Sequence, residues 1–403
     1  MRPALHLALA AAVVAAVAGR PAMGGDGPAV RWAVLTEEGR SALASGELAR
    51  AELAMRKALD AAQVLAPEDP RRAVALNNVG FVLHARHELH EAAIFYGQAL
   101  ELRERWLGPD DAAVAQSLVN MAELRREQGR AAEAEGLYVR ALAIRRDSPL
   151  DRAPLAAVLR GLAAVRGEQG RVEEAQANYR AALALADELG KLHPEILAAR
   201  RELAALLAAD GRREEAVELL RAGRADAGEA ERMPLLLDEA ALLFAGGRSG
   251  DAQALAEQAM TLLDNTFPPE PAATATTLAA IARQQRDAGF SEAAEAALAH
   301  ARGLLEAAGG EARRRGLLDL LSVLAFWRLE EGDGEATDRL LLEALALARD
   351  EAEAQPLLQV RARLLQALGR SQEAGLLEAA PVPPATPVRT LPAALLAEPR
   401  PRG

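Results

Sequence analysis

A glycine that is followed five residues later by an alanine recurs at nearly regular intervals along this chain of 403 residues. We call the first member of each pair the marker, and successive markers are 36 to 43 residues apart. Seven pairs are intact and two are altered: Gly46/Ala51, His87/Ala92, Gly129/Ala134, Gly170/Ala175, Gly211/Ala216, Gly247/Ala252, Gly289/Ala294, Gly332/Thr337 and Gly369/Ala374. A period of this length is typical of a solenoid built from stacked repeats. The spacing therefore predicts nine copies of one structural unit.

Three further positions repeat in step with the marker. A small residue, Gly or Ala, stands seven residues before every marker, and a leucine stands eleven before it in every copy except the fifth, which has Arg200. An alanine stands twelve residues after the marker in most copies. Residues four apart share one face of a helix, and a small residue on that face lets a second helix approach closely. The pattern predicts an all-α unit with a helix A before the marker, a turn at the marker and a helix B after it.

Proline and acidic residues indicate the ends of these helices. The prolines from Pro67 to Pro356 are expected between units or in the first turn of helix A, where a missing N–H group is tolerated. Acidic residues four after the marker, such as Glu133 and Glu174, are expected to stabilise the positive N-terminal end of helix B. These acids therefore need no catalytic explanation.

The two ends of the chain differ from the repeats. Residues 1–18 combine Arg2, an apolar stretch and a small-x-small pattern before Gly19, which is the order of a cleavable secretory signal peptide. Residues 19–31 are predicted to be a linker, residues 32–380 the repeat array, and residues 381–403, with seven prolines, a disordered tail. We expect an exported protein, periplasmic or secreted, with no integral membrane segment after cleavage. An uncleaved membrane anchor and a cytoplasmic protein that starts near Met23 are the alternatives.

Composition argues against several classes of function. The chain has no cysteine, which excludes disulfides, a thiol nucleophile and zinc bound by cysteine. A formal net charge of −11 without long basic runs argues against nucleic-acid binding. The sequence also lacks a phosphate-binding Gly-Lys loop, a dinucleotide-binding glycine motif and a nucleophile elbow. We therefore predict a protein that is not an enzyme and that uses no cofactor.

Three of the six histidines form a His-x-x-His-x-x-His run, namely His84, His87 and His90. A spacing of three along a helix could bring two imidazoles to one metal ion. The run crosses the predicted A–B turn, however, where His87 replaces the marker glycine, so the three side chains are not expected to share a helical face. The sequence predicts no metal site, and a metal-binding protein that uses this run is an alternative.

The series of small, Gly, Ala and Ala positions resembles the tetratricopeptide repeat, and the resemblance covers residues 32–380. The repeats of about 42 residues are similar to the kinesin-light-chain-like subclass. This similarity is carried by Leu76-Asn77-Asn78, by Leu107-Gly108-Pro109-Asp110-Asp111, and by Gln128-Gly129-Arg130-Ala131-Ala132-Glu133-Ala134-Glu135-Gly136-Leu137-Tyr138. The resemblance implies an all-α fold, a right-handed α-α solenoid of about nine helical hairpins.

In this family helix A lines a concave groove, in which partners bind as extended peptides or helices. Carried over by position, the residues ten, six and three before each marker are expected to face that groove. They include Asn77, Phe81, His84, Val119, Glu123, Arg126, Arg160, Arg201 and Phe326, with Asn78 and Asn120 at its edge. Because Arg can form two parallel hydrogen bonds to a carboxylate, an acidic peptide is the first expectation for the partner. The alternative is that these arginines are solvated and only reflect an Arg-rich composition.

The resemblance implies a non-enzymatic scaffold or adaptor that binds a protein or peptide partner in its groove. Together with the signal peptide and the acidic composition, we expect an exported scaffold that binds no nucleic acid. A membrane-tethered assembly factor of the cell envelope, which would act through its outer surface and its tail, is an alternative function.

Overall fold

The computed structural model describes residues 27–44, 47–146, 152–225, 227–265, 271–307, 310–348 and 351–370. The predicted signal peptide (1–18), most of the predicted linker (19–31) and the predicted tail (381–403) lie outside the described residues. Within the described residues all regular structure is helical. None of these helices is both long enough and apolar enough to cross a membrane.

Helices of type A and type B alternate along the described part of the chain. The A helices are α1 (Pro28–Ala44), α3 (Pro70–Ala85), α5 (Ala112–Glu127), α7 (Arg152–Glu168), α10 (Pro194–Ala209), α12 (Glu229–Ala245), α14 (Pro271–Asp287), α16 (Gly310–Glu330) and α18 (Glu351–Ala367). The B helices are α2 (Leu48–Gln63), α4 (Leu89–Leu107), α6 (Ala131–Arg146), α8 (Val172–Leu183), α11 (Arg213–Ala225), α13 (Ser249–Asn265), α15 (Ser291–Ala307) and α17 (Gly334–Leu347), and the one-turn α9 (Ala186–Leu189) follows α8. The predicted series of helical hairpins is confirmed.

The markers that the structure describes, from His87 onward, end their A helices in the same way. From Gly129 to Gly369 the marker glycines have a φ between 74° and 90°, a left-handed conformation that glycine adopts without strain. The residue after the marker then donates its N–H to the carbonyl five residues earlier, as Arg130 does to Arg125 at 2.8 Å. This hydrogen bond is the one that closes a Schellman turn. His87, the non-glycine marker, has a φ of 62°, so the histidine run does cross the turn as predicted.

The repeated small residues form the contact between helices. The residue five after the marker is completely buried in all eight described repeats that contain it, from Ala51 to Thr337. The small residues seven before the marker are buried as well. At Gly80 a Cβ atom would lie 2.7 Å from the ring of Tyr96, which is too close for any larger side chain. The spacing of the sequence repeat is therefore the spacing of close helix–helix contacts.

Two prolines lie deeper in their helices than the sequence suggested. Pro234 and Pro356 are each the sixth residue of an A helix, α12 and α18 respectively, and so stand beyond the first turn. Both helices start eighteen residues before their marker, close to the starting point of the other A helices. Proline at such a site gives up one backbone hydrogen bond near the N-terminus, and the helix continues around it.

The helices are grouped into two compact units. The first unit, Met1–Glu270, contains α1 to α13, and the second, Pro271–Gly403, contains α14 to α18. In the first unit a core that includes Met55, Val79, Tyr96 and Leu124 runs through the first three repeats. In the second unit Leu321, Leu341 and Leu364 form part of a core between α16, α17 and α18.

Candidate partner-binding face on the A helices

Apart from Phe326, which lies on α16 of the second unit, the residues expected at the groove lie on consecutive A helices of the first unit, where several of them bond from repeat to repeat. In three places the residue ten before one marker bonds to the residue nine before the next marker. Asn120 Nδ2 donates to Asn77 Oδ1 at 2.7 Å, which joins α5 to α3. Arg160 Nη1 donates to Glu202 at 3.0 Å, which joins α7 to α10. Arg201 in turn binds the carboxylate of Asp238 through two guanidinium nitrogens.

A second set of contacts follows the same rule closer to the turns. Here the residue three before one marker meets the residue two before the next. His84 Nε2 lies 3.1 Å from Glu127 Oε2, and Arg126 Nη1 donates to Glu168 at 2.9 Å. We call the two sets together the ladder face; it consists of Asn77, His84, Asn120, Arg126, Glu127, Arg160, Glu168, Arg201, Glu202 and Asp238. It connects the A helices of the second to sixth repeats.

Two arginines of the ladder face are buried and bind two acids each. Arg126 pairs with Glu123 of its own helix at 2.7 Å in addition to Glu168. Arg160 pairs with Glu195 at 2.8 Å in addition to Glu202. Burial alone would lower the pKa of Arg160, but Glu202 and Glu195 hold that pKa above its ordinary value. Arg160 is therefore charged, and both arginines bind their acidic partners within the protein.

Glu123 links the ladder face to the core. Its second oxygen accepts a hydrogen bond from the hydroxyl of Tyr138, and the ring of Tyr138 packs against Gly161 of the next A helix. Burial, followed by the charge of Glu123, raises the pKa of Tyr138 well above its ordinary value. Tyr138 is therefore a neutral hydrogen-bond donor at any working pH.

The histidine run does not form a cluster of metal ligands. His84 packs edge-on against Tyr96, with ring centroids 6.1 Å apart, while His90 is exposed. Among the described residues, no group of three His, Cys, Asp or Glu side chains is arranged to hold a metal ion. Burial alone would raise the pKa of Glu127, but His84 and His87 lower it, so Glu127 carries its negative charge at neutral pH.

The structure separates the groove residues named from the sequence into two groups. Phe81, His84, Asn120 and Arg201 are partly exposed, while Asn77, Glu123, Arg126 and Arg160 are each less than 10% exposed. The arginines that were expected to meet an acidic peptide have acidic partners inside the protein instead. The arginine partners Glu168, Glu202 and Asp238, and Glu127 beside His84, were not named from the sequence. The signal that could have found two of them is a spacing of 42 residues, which separates Arg126 from Glu168 and Arg160 from Glu202.

Residues 71–147 and 154–226 match the tetratricopeptide repeat family model. These residues are thus tetratricopeptide repeats, they include the ladder face up to Glu202, and the resemblance seen in the sequence is confirmed. Among curated protein sequences, none matches the chain significantly.

Solved structures similar to this chain include kinesin light chain-like repeats. Those of Podosopora anserina are 25% identical, with a TM-score of 0.43 over 48% of this chain and 95% of that one. The apo form of RapI is 16% identical, with a TM-score of 0.51 over 71% of this chain and 98% of that one. The apo form of the quorum sensor NprR from B. thuringiensis is 12% identical, with a TM-score of 0.53 over 93% of each chain. These two likenesses show a common α-α solenoid fold.

Proposed function

We propose that this protein is a non-enzymatic scaffold that binds a protein or peptide partner on the ladder face of its tetratricopeptide repeats. The observation that carries the proposal is the ladder face itself, where side chains from five consecutive A helices are bonded into one surface. A surface that is already ordered before binding loses little conformational entropy when a partner arrives. Partly exposed Phe81 and Asn120 offer that partner an apolar contact and an amide group.

Site-specific photocrosslinking in the native cells tests this proposal. We would replace Phe81 or Asn120, on the A helices, with a photoreactive phenylalanine. As matched controls the same residue would replace Ile94 or Val139, which are 49% and 46% exposed on the B helices α4 and α6. We expect a discrete crosslinked partner from the A-helix positions only. Crosslinks from Ile94 and Val139 alone would contradict binding on the ladder face.

That contrary result would favour a second candidate, an assembly factor that acts through its B helices. The observation behind it is a set of exposed apolar side chains on these helices. Leu53 is 57% exposed and Ile94 49%, and both stand seven residues after their marker. Single exposed apolar residues are common, so this candidate ranks behind the first.

Export of the protein is a separate part of the proposal, and it rests on the composition of residues 1–18. Mass spectrometry of the purified native protein tests it. We expect a mature chain that begins at Gly19 in a soluble envelope or secreted fraction. A chain that begins at Met1 in the membrane fraction would instead support the anchored alternative, and one that begins at Met23 in the cytoplasm would contradict export.

A further inference from the structure

The ladder face carries more negative charge than positive charge. The ladder face contains three arginines, Arg126, Arg160 and Arg201. Its own acids, together with the two further acids that bind these arginines, are Glu123, Glu127, Glu168, Glu195, Glu202 and Asp238. Three positive and six negative groups leave a formal charge of −3. The two buried arginines are each outnumbered by their acids, and Glu127 faces histidines instead of an arginine.

Burial leaves this imbalance on the exposed part of the face, because the two buried arginines are accompanied by two buried acids, Glu123 and Glu195. The side chains of Arg126 and Arg160 are only 6% and 7% exposed, whereas that of Glu168 is 47% exposed. Glu127, Glu202 and Asp238 are exposed by about a quarter to a third. A partner on this face therefore meets carboxylates from four successive repeats, while only Arg201 presents a comparably exposed positive charge.

From this arrangement we infer that the partner segment bound on the ladder face is cationic, a peptide rich in Lys or Arg. The inference rests on the proposed function and specifies the chemistry of its partner. Charge complementarity speeds association and excludes partners of the wrong sign. An acidic segment, by contrast, would have to displace glutamates from buried arginines, which leaves charges unpaired in a poorly solvated place.

Selection from a random peptide library on the purified full chain provides the probe. We expect the selected peptides to be enriched in Lys and Arg, and their affinity to fall as salt concentration rises. The affinities of one selected peptide would then be compared for two triple variants. The ladder variant is E127Q/E168Q/E202Q, and the control is E133Q/E174Q/E215Q, whose acids come from the same three repeats. These control acids pair with Arg130, Arg171 and Arg212 at the start of the B helices.

Both variants remove three negative charges, so they separate a local effect from an effect of net charge. In the ladder variant Arg126 still has Glu123 and Arg160 still has Glu195, so neither buried arginine loses every acid. We expect the ladder variant to bind the cationic peptide about tenfold more weakly, since it loses three partly exposed charge pairs with the peptide. The control variant should bind it with unchanged affinity. Circular dichroism of both variants checks that they are folded.

The possible results distinguish the inference from the function on which it rests. Acidic or uncharged peptides that crosslink at Asn120 would overturn the cationic partner and leave the scaffold function in place. Equal binding by the ladder and control variants would also overturn the inference. If no peptide is selected, or if selected peptides crosslink only at Ile94 or Val139, both the inference and the proposed function fail.

Discussion

Arg160 on α7 donates a hydrogen bond to Glu202 on α10 at 3.0 Å, and these two residues are 42 positions apart in the chain. The bond spans one repeat, and Arg126 and Glu168 form a second ion pair with the same spacing of 42 residues, nearer the turns. Residues that are one repeat apart in the sequence thus form ion pairs between adjacent A helices. The function proposed above depends on these ion pairs, because they place charged groups from successive repeats on one surface.

Removal of the Arg160 side chain should destabilise the protein strongly. Glu195 is only 2% exposed, and R160A would leave its carboxyl group buried without the bound guanidinium. Breaking such a buried pair costs about 3–5 kcal/mol. Urea unfolding followed by circular dichroism measures the loss. The matched control is R212A, because Arg212 pairs with Glu215 on the surface and its removal should leave stability nearly unchanged. Equal stability of R160A and R212A would contradict the prediction.

A methyl group at Gly161 should also destabilise the fold. Its Cβ atom would lie 2.5 Å from two ring carbons of Tyr138, and Tyr138 is completely buried, so the ring has no room to move. We expect G161A to lower the free energy of unfolding by about 1–3 kcal/mol, as overpacking does in other cores. Thermal unfolding checks this.

Gly136 provides the control for that substitution, because it too lies within a helix. A Cβ atom at Gly136 would have no neighbour within 4 Å. G136A should therefore stabilise the protein by about 0.5–1 kcal/mol, since alanine suits a helix interior better than glycine. A loss of stability in G136A as large as in G161A would show that contact with Tyr138 is not the cause.

Replacement of His87 by glycine should stabilise the second hairpin. His87 has a φ of 62°, and a left-handed conformation costs an ordinary residue roughly 1–2 kcal/mol. H87G should raise the urea midpoint, while G129A, which places a side chain at the equivalent turn of the next hairpin, should lower it. If H87G is less stable than the native protein, the contacts of the imidazole outweigh the backbone strain.

Asp69 should make part of the stability depend on pH. The hydrogen bond that the Arg71 side chain donates to the Asp69 carboxylate is the main reason why the pKa of Asp69 lies below its ordinary value. A carboxyl group whose pKa is lowered by folding stabilises the folded state fully when the pH is above the unfolded pKa, which is about 3.9 for Asp. This stabilisation is lost as the pH falls through the pKa of the folded state.

The variant D69N keeps a good N-cap residue and removes the charge. We expect D69N to be less stable than the native protein at neutral pH, and the difference should shrink as the pH falls from above the unfolded pKa of about 3.9 to below the folded pKa. Urea unfolding at both pH values measures it, and NMR titration gives the Asp69 pKa directly. A difference that is the same at both pH values would show that the ion pair is not its origin.

The sequence by itself determined the hairpins and their packing. The positions seven before, five after and twelve after the marker are occupied by small residues, and those that the structure describes are buried, as Ala122, Ala134 and Ala141 are. This was predictable because two helices can approach closely only where side chains are small. The same positions of every repeat therefore need small residues, and the sequence shows them. The turns were predictable for a similar reason, since a left-handed residue selects glycine.

Only the tertiary structure decided what the charged residues do. Arg126 and Arg160 could equally have been solvated, because exposed arginine is the common case. Many Arg and Glu residues lie about one repeat apart, and pairing depends on how one A helix is placed against the next. Long charged side chains reach several neighbours, so their partners follow from three-dimensional placement more than from residue type. Small residues allow close helix contacts because of their size, and residue size can be read from the sequence. The ladder face, in contrast, forms only when the A helices lie side by side.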